Sequence, residues 1–309
     1  MKSKKILVVL GGTSAERSVS LDSGKACIKA LKKKGYKVTT FDPKKKPFTL
    51  INKNKTDIIF NALHGKDGED GVAQSYFEYL RIPYTHSGVV SSYNAMNKII
   101  SKEIFKKKKI NSPRYFVLEK KDYSKIKLND LIKKNQIIYP IVIKPINEGS
   151  SIGVKICGNF LSLIKSTNSL FKNYAELIFE TFIGGQEIQV AVINGLPLGA
   201  IELKPKRQFY DYKAKYTKAA KTEHIMPANI KKNKYKEVLA IAKKAHDALG
   251  CMGVTRSDFK FYKNKFYILE INSQPGMTNL SLVPEIAKYK GISFENLVEK
   301  ILLNASLDR

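Results

Sequence analysis

The sequence has no tryptophan, only three cysteines, and six arginines among its 55 basic residues. Cys27, Cys157 and Cys251 are far apart and have no CxxC spacing, so we expect neither a disulfide framework nor a zinc site. No GxxxxGK[ST] motif occurs, which excludes a Walker A phosphate loop. The first apolar run, residues 6–10, is too short to span a bilayer and has no cleavage-site pattern, which predicts a buried strand in a cytoplasmic protein without membrane contacts.

The formal net charge of +28 is of the kind found in proteins that bind nucleic acid. Here, however, 49 of the basic residues are lysines, spread over almost every segment in short clusters such as residues 32–34, 44–46 and 106–109. Such clusters at helix ends and in loops are ordinarily solvated. We therefore expect no nucleic-acid partner, and a non-catalytic, basic nucleic-acid-binding protein stays as the alternative from another class.

The amino-terminal region has the pattern of an open α/β sheet. A strand at residues 6–10 runs into a small-residue turn at 11–18 that opens a helix, and strands at 36–41 and 57–63 follow. Residues 64–71 form a second glycine-rich loop, and ligands bind at this carboxyl edge of such sheets. His64 in that loop has either a structural or a binding role. The GxGxxG spacing of dinucleotide-binding turns is absent.

The middle of the chain places a lysine before a flexible loop. The pattern predicts a helix at residues 91–109 that contains Lys98, then an apolar strand that ends at Lys144 and a loop rich in glycine and serine at 145–153. Such a loop can surround phosphate with backbone N–H groups and hydroxyls, although many loops of this composition are ordinary turns. Glu180 lies in an apolar strand and needs a partner or a cleft.

A polar hairpin follows a long irregular segment near the carboxyl end. Asn194-Gly195 predicts an earlier tight turn, and the polar stretch at 206–224 is typical of a lid or binding loop. If residues 263–265 form a three-residue loop, two carboxylates, an amide and an arginine share one face of the next hairpin. Oxygen ligands of this kind suit Mg2+, and the alternative is a solvated edge hairpin. The four residues are Arg256, Asp258, Glu270 and Asn272.

Six motifs, in order, resemble the D-alanine:D-alanine ligases of the ATP-grasp superfamily. They are LGGTSAERSVSLDSG (10–24), ALHGKDGEDG (62–71), IPYTHSGV (82–89), IVIKPINEGSSIGV (141–154), FYDYKAKY (209–216), and RSDF (256–259) through EINSQPGMTNLSLVP (270–284). The resemblance implies an α/β (α+β) ATP-grasp fold with an N-terminal Rossmann-like parallel sheet and two α+β ATP-grasp domains. Three domains are expected. Residues 1–96 would hold the first D-alanine, residues 97–182 would form the central ATP-grasp domain, and residues 183–309 would form the carboxyl-terminal ATP-grasp domain with the lid at 206–224 and the metal site.

The resemblance also implies a role for each matching residue. ATP would contact Lys98, Lys144, Ser150, Ser151, Glu180, Thr181, Ile183, Glu187 and Lys215. Two Mg2+ ions, or Mn2+ in their place, would be held by Asp258, Glu270 and Asn272. The catalytic groups would be Glu16, Ser150, Tyr216, Arg256 and Gly276. The D-alanines would contact Glu16, His64, Lys215, Arg256, Gly276, Ser281 and Leu282.

The family's chemistry gives the functional prediction. ATP converts a D-alanine carboxylate to an acyl phosphate, and the amine of a second D-alanine displaces the phosphate to give the dipeptide used in peptidoglycan precursors. Ligation of D-alanine to D-lactate or D-serine is the alternative within the class, and Tyr216 favours the dipeptide. We also expect a homodimer. The chain departs from the family's usual pattern at Ser273 and Ser257, and we expect neither change to alter activity.

Overall fold

The computed structural model describes residues 3–204, 222–278 and 281–307. Lys215, Tyr216 and most of the predicted lid at 206–224 lie outside the described residues. Among the helices of the described part, none has both the length and the apolar character required to cross a bilayer.

The amino-terminal part is a parallel sheet, as predicted, and its three strands have the order β2-β1-β3. Its side chains alternate between two hydrophobic clusters, so both faces of β1 are covered. Helix α1 packs on one face, and α2 follows the loop at 64–71. The elements are β1 (Lys5–Val9), α1 (Arg17–Lys33), β2 (Lys37–Phe41), β3 (Ile58–Asn61) and α2 (Val72–Tyr79).

An ion pair fixes the turn after β1. Arg17 donates to both carboxylate oxygens of Asp42, at 3.0 and 2.7 Å, and the same carboxylate accepts from the amide of Gly12. Hydrogen bonds from Arg17 and from the backbone amides of Gly12 and Lys44, together with the arginine charge, outweigh burial and lower the pKa of Asp42 to about 2. The turn that precedes α1 is therefore held in place by charge as well as by packing.

The predicted helix at 91–109 is two helices, so that prediction was wrong. Helix α3 (Val89–Met96) ends at Asn97, which has extended backbone angles (φ −79°, ψ 106°) and caps α4 (Lys98–Lys107). Its side-chain oxygen accepts from the amides of Ile99 and Ile100, both at 3.1 Å, and so satisfies two donors that a helix start leaves unpaired. The break makes Lys98 the first residue of α4.

The middle part is a four-stranded antiparallel sheet in the order β4-β7-β5-β6. Two helices cover one face, where alternate strand residues join a hydrophobic cluster. The intervening residues, Lys144 and Glu180 among them, therefore point to the opposite face. The elements are β4 (Tyr115–Glu119), α5 (Lys125–Lys134), β5 (Ile141–Pro145), β6 (Lys155–Cys157), α6 (Phe160–Leu170) and β7 (Glu176–Thr181).

The carboxyl-terminal part contains a five-stranded antiparallel sheet in the order β10-β9-β8-β11-β12. The predicted tight turn at Asn194 and Gly195 is confirmed, because both residues have positive φ and join β8 directly to β9. The elements are β8 (Gln186–Ile193), β9 (Leu196–Lys204), β10 (Glu223–Ile225), α7 (Lys232–Ala248), β11 (Val254–Tyr262), β12 (Lys265–Asn272), α8 (Leu282–Tyr289) and α9 (Phe294–Leu303).

The β11–β12 hairpin has the predicted pairing but not the predicted loop. The turn has two residues, Lys263 and Asn264, both with positive φ, so the three-residue loop at 263–265 was wrong. A β-bulge corrects the register: Asp258 pairs with Glu270, whereas the next residue of β11 pairs with residue 268. The extra residue on β12 returns the polar pairs to one face, as the prediction required.

The amino- and carboxyl-terminal parts share one hydrophobic cluster. Residues of β1 and α1 pack against residues of α8 and α9 in the same core. At its edge, the Glu299 carboxylate of α9 accepts from Lys34 at 2.8 Å and from the Tyr36 hydroxyl at 3.0 Å. Packing therefore joins the two ends of the chain. The domain boundaries at residues 96 and 182 stay predictions.

Candidate active site

A cleft lies between the middle sheet and the carboxyl-terminal sheet. Strands β5 and β7 and the loop at 145–153 line one side, and β8, β11 and β12 line the other. Nine of the residues that the sequence predicts for the site line this cleft. They are Lys98, Lys144, Ser151, Glu180, Thr181, Ile183, Glu187, Asp258 and Glu270.

The predicted metal ligands gather on one face of the β11–β12 hairpin. Asp258 is paired with Glu270, and Arg256 with Asn272, in adjacent strands. The Asn272 amide nitrogen is 3.4 Å from a carboxylate oxygen of Asp258. Within the described residues no three histidines, cysteines, aspartates or glutamates form a metal-binding group, so a cation here would take two carboxylates, an amide oxygen and ligands from a bound substrate. That donor set fits Mg2+.

Arg256 neutralises Asp258 in this structure. Its guanidinium donates to both carboxylate oxygens, from Nε at 2.7 Å and from a terminal nitrogen at 2.9 Å. The side chain of Asp258 is 7% exposed and that of Arg256 is 15% exposed, so water screens this pair only weakly. The arginine lies directly beside the predicted metal position, where it can also meet an oxyanion.

Glu180 contacts two lysines inside the cleft wall. One carboxylate oxygen is 2.9 Å from the ammonium of Lys102, and the other is 2.9 Å from that of Lys144. Burial raises the pKa of Glu180, but the charges of Lys102 and Lys144 outweigh it and bring the value to about 2. The carboxylate is therefore ionised. The sequence predicted that Glu180 needs a partner in its apolar strand, and the structure gives it two lysine partners.

Lys98 is bonded to the first half of the loop at 145–153. Its backbone amide donates to the carbonyl of Ile146 at 3.2 Å, and its ammonium donates to the carbonyl of Glu148 at 2.5 Å. Burial lowers the pKa of Lys98. The loop and the start of α4 are thus joined by a cation that lines the cleft.

The loop at 145–153 contains three residues with an unusual backbone conformation. Ser150, Ser151 and Gly153 all have positive φ, of 52°, 62° and 71°. Serine rarely adopts these angles, and successive residues of this kind turn N–H groups toward a common point. Ser151 lines the cleft directly, and Ser150 lies beside it in the loop.

The predicted nucleotide-reading groups lie on both walls, Glu187 on β8 and Thr181 at the end of β7. Glu187 accepts from the ammonium of Lys260 at 2.8 Å. The amides of Thr181 and Phe182 donate to the carbonyls of Arg114 and Pro140, both at 3.0 Å. A base in the cleft would therefore meet the carbonyl groups of this segment, or the Ile183 amide, rather than those two amides.

Glu16 lies where the amino-terminal and middle parts of the chain meet. A Cβ atom on Gly65 or on Gly149 would stand 2.9 Å from a carboxylate oxygen of Glu16, so this buried side chain touches both the 64–71 loop and the 145–153 loop. The His64 ring is buried nearby and contacts Ser23 at 3.2 Å. The structure therefore brings Glu16 and the loop that holds Ser150 together, as predicted.

The segment after β12 approaches the same region from the carboxyl-terminal part. A Cβ atom on Gly276 would be 3.0 Å from the Ser281 hydroxyl and 3.9 Å from Val19 of α1. Ser281 precedes α8, of which Leu282 is the first residue. Amides in the first turn of a helix have no acceptor within the helix, which favours an anion at this position.

Sequence reasoning missed two lysines, one behind the cleft wall and one lining the cleft. Lys102 lies four residues after Lys98 on α4, a spacing that puts both on one helix face. Lys260 lies two residues after Asp258 on β11, and so on the same strand face. Both spacings can be read from the sequence, but they do not distinguish Lys102 and Lys260 from the many other lysines of the chain.

Comparisons with known proteins agree with this architecture. Residues 104–303 match the family model described as "D-ala D-ala ligase C-terminus". The chain is 54% identical to a D-alanine--D-alanine ligase of Pelagibacter ubique, over 99% of each chain, and 43% identical to one of Geotalea uraniireducens, over 99% of this chain and 97% of that one. A crystal structure of a D-alanine--D-alanine ligase from Bacillus anthracis has a TM-score of 0.87 at 33% identity and 97% coverage of both chains.

Two further solved structures are similar over almost the whole chain. The Bacillus anthracis enzyme complexed with ATP has a TM-score of 0.81 at 32% identity, over 97% of this chain and 96% of that one. A D-Ala:D-Ser ligase from Enterococcus faecalis has a TM-score of 0.83 at 26% identity, over 96% and 98%. The fold is therefore the predicted ATP-grasp fold, that of ATP-dependent ligases. Within that class, the chain belongs to the D-alanine–D-alanine ligase family.

Proposed function

We propose that this protein joins two D-alanines to D-alanyl-D-alanine at the expense of ATP, for peptidoglycan precursor synthesis. The observation that carries the proposal is a single cleft lined by Lys144, Asp258 and Glu270. Phosphoryl transfer requires this combination of cations and metal-binding carboxylates, because charge develops on the transferring group. The relatives at 54% and 43% identity are named as ligases of this product.

ATP binding is assigned to the wall formed by the middle sheet and to the loop beside it. Lys98 and Lys144 contact the phosphates, and Ser150 and Ser151 cover them. Glu180, with the main chain of Thr181 to Ile183, contacts adenine. On the facing sheet Glu187 contacts the ribose, and Lys215 from the predicted lid completes the site. The support is that all of these residues except Ser150 and Lys215 line the cleft, and that a relative of the same fold was solved with ATP.

Magnesium binding is assigned to Asp258, Glu270 and Asn272, with Mn2+ able to replace it. Two such ions, when bound, offset the negative charge of the phosphate chain and of the transferring phosphoryl group. A cation held by the Asp258 oxygens would replace the bidentate contact with Arg256. Arg256 is then available to donate to the oxyanion of the tetrahedral intermediate, together with the Gly276 amide.

The first D-alanine is assigned to Glu16 and His64. The buried carboxylate of Glu16 accepts from the substrate ammonium, and hydrogen bonds link it to Ser150 and Tyr216. Burial of Glu16 between two glycine loops supports this role, since water is excluded there and the charge pair is strengthened. The carboxylate of the second D-alanine meets Ser281, the Leu282 amide and Lys215.

Other acceptor substrates receive less support. The D-Ala:D-Ser ligase is 26% identical to this chain, whereas the D-alanine--D-alanine ligases reach 54%. The nucleic-acid alternative gains less support as well, because the relatives that match nearly the whole chain are named as ligases. The alternatives of D-lactate, D-serine and nucleic acid are not favoured.

A homodimer is part of the proposal. Helices α2 and α3 contact each other and expose large apolar side chains on adjoining surfaces. Val72, Tyr76 and Tyr79 lie on α2, and Val90 and Tyr93 on α3, and all five are exposed. A second copy of the chain would cover this apolar surface. Light scattering after size exclusion should give twice the 34.8 kDa chain mass, and Tyr79→Glu should reduce it.

A cytoplasmic location completes the proposal. Cys27, Cys157 and Cys251 are free and buried, as expected for a protein kept in a reducing compartment. Burial raises the pKa of the Cys251 thiol to about 12, so it stays protonated and unreactive.

The proposed activity is tested by titrating D-alanine with ATP and Mg2+ present, while phosphate release is followed and the product is identified by mass. Parallel titrations with D-lactate and D-serine as second substrate measure specificity. Formation of D-alanyl-D-alanine with one phosphate per dipeptide supports the proposal. Binding to random DNA with a steep salt dependence and no dipeptide formation would support the nucleic-acid alternative instead.

A further inference from the structure

We infer that Lys102 is a positioning residue for nucleotide binding: a permanent counter-ion of Glu180 that frees Lys144 to leave this carboxylate for the phosphates. The inference rests on the proposed use of ATP and extends it, because Lys102 itself does not line the cleft and touches no part of the proposed nucleotide position.

The two lysines around Glu180 differ in their access to the cleft. Lys102 lies 2.9 Å from one carboxylate oxygen and its side chain is 1% exposed. Lys144 lies 2.9 Å from the other oxygen, is 9% exposed, and lines the cleft together with Glu180. One side of the carboxylate is therefore sealed by protein, and the other side faces the space where a ligand binds.

Lys102 is also fixed in place by other groups. Its ammonium is 3.4 Å from the carbonyl oxygen of Pro113 and 5.1 Å from the centroid of the Tyr115 ring, over which it lies. A cation over an aromatic face and beside a carbonyl is stabilised without water. Moving Lys102 away from Glu180 would break three contacts at once, so its position is the same with or without a ligand.

Lys144 is placed to move. It lies at the end of β5, next to the loop at 145–153, and its ammonium faces the cleft. A polyphosphate that enters the cleft offers this ammonium a stronger partner than a carboxylate already shared with another cation. Glu180 remains neutralised by Lys102 after the exchange. Without Lys102 the exchange would leave a buried, unpaired carboxylate, which is strongly unfavourable.

The exchange also prepares Glu180 to select the base. Once Lys144 has moved, the second carboxylate oxygen is an acceptor that faces the cleft. An ionised carboxylate accepts hydrogen bonds only, so it suits the exocyclic amino group of adenine and repels the carbonyl oxygen that guanine carries at the same ring position. Lys102 thereby couples phosphate binding to base selection.

The test compares ADP and GDP binding to the whole protein by calorimetry, with Mg2+ and without D-alanine. In Lys102→Met, whose side chain has a similar shape and no charge, we expect ADP binding to weaken about tenfold or more, and the preference for ADP over GDP to shrink. Lys144 then has to stay with Glu180, or the carboxylate has to take a proton. Lys106→Met is the matched control, because Lys106 is exposed on the same helix one turn further on, and it should leave both affinities unchanged.

A second variant covers loss of folding. In Lys102→Met/Glu180→Gln no buried carboxylate needs a counter-ion, so we expect a folded protein whose ADP affinity equals that of Glu180→Gln alone. If Lys102→Met binds ADP and GDP as the wild type does, or loses both equally, Lys102 has no positioning role. The same holds if the Lys102→Met change weakens ADP binding just as much in the Glu180→Gln background. A wild-type protein that binds neither nucleotide overturns the proposed function itself, which separates the two failures.

Discussion

Asp258→Asn separates the metal-binding role of Asp258 from its role in the fold. The change keeps the shape of the side chain and removes its charge. Arg256 now donates two hydrogen bonds to the carboxylate, at 2.7 and 2.9 Å, and the amide retains only one acceptor oxygen. A hydrogen bond to a charged group contributes about 1.5–3 kcal/mol, so we expect the free energy of unfolding to fall by about that amount.

Turnover should suffer far more than stability. A neutral oxygen is a poorer ligand for Mg2+ than a carboxylate, and loss of one preorganised electrostatic contact typically lowers the rate about 100- to 1,000-fold. Phosphate release at saturating ATP and D-alanine measures the rate, and urea unfolding measures the stability. Asp247→Asn is the matched control, because Asp247 is half exposed beside Lys243, and such a pair contributes about 1 kcal/mol or less. Near wild-type turnover in Asp258→Asn would refute the metal assignment.

Three further changes test other parts of the account. Gly149→Ala places a Cβ atom 2.9 Å from a carboxylate oxygen of Glu16 and should raise the KM for D-alanine several-fold. Gly158→Ala is the control, because its new atom meets nothing within 4 Å, and it should leave KM unchanged. Equal KM values in the two variants would contradict the position of Glu16. Ser257 is fully buried, and its hydroxyl has no hydrogen-bond partner within the described structure. Ser257→Ala should therefore raise the free energy of unfolding by about 1 kcal/mol in urea titrations. A decrease would show that the hydroxyl has a partner. Asp42 has a folded pKa of about 2, below its usual value, so its ion pair stabilises the fold above pH 4 and is lost as the pH falls toward 2. Asp42→Asn should abolish this part of the pH dependence of the unfolding free energy, and parallel stability curves for the two proteins would exclude it.

The sequence predicted which polar residues pair across the hairpin better than it predicted the local backbone. Pairing of Asp258 with Glu270 was correct for a wrong reason, because a two-residue turn and a bulge together give the register that a three-residue loop would give. The bulge has no composition signal, because its extra residue is not a glycine. The break at Asn97 was open to prediction, because asparagine is a preferred helix N-cap, but the apolar spacing continues across it.

Ion-pair partners were the part that the sequence left open. An isolated glutamate in an apolar strand predicts a partner for Glu180, yet the chain offers 49 lysines and no local rule selects Lys102 and Lys144. The selection is tertiary: α4 brings Lys102 to Glu180 on β7 and over the ring of Tyr115 on β4. Contacts between residues so far apart in sequence depend on the fold as a whole.

The central claim is that one cleft holds a nucleotide beside the Mg2+ ligands and uses it to join two D-alanines. The most direct measurement is the stoichiometry of the purified protein supplied with ATP, Mg2+ and D-alanine, read from phosphate release and product mass. The account predicts one ADP, one phosphate and one D-alanyl-D-alanine per turnover, and no phosphate release when Mg2+ is chelated. ATP hydrolysis without dipeptide, or dipeptide formation that survives removal of divalent cations, would contradict it.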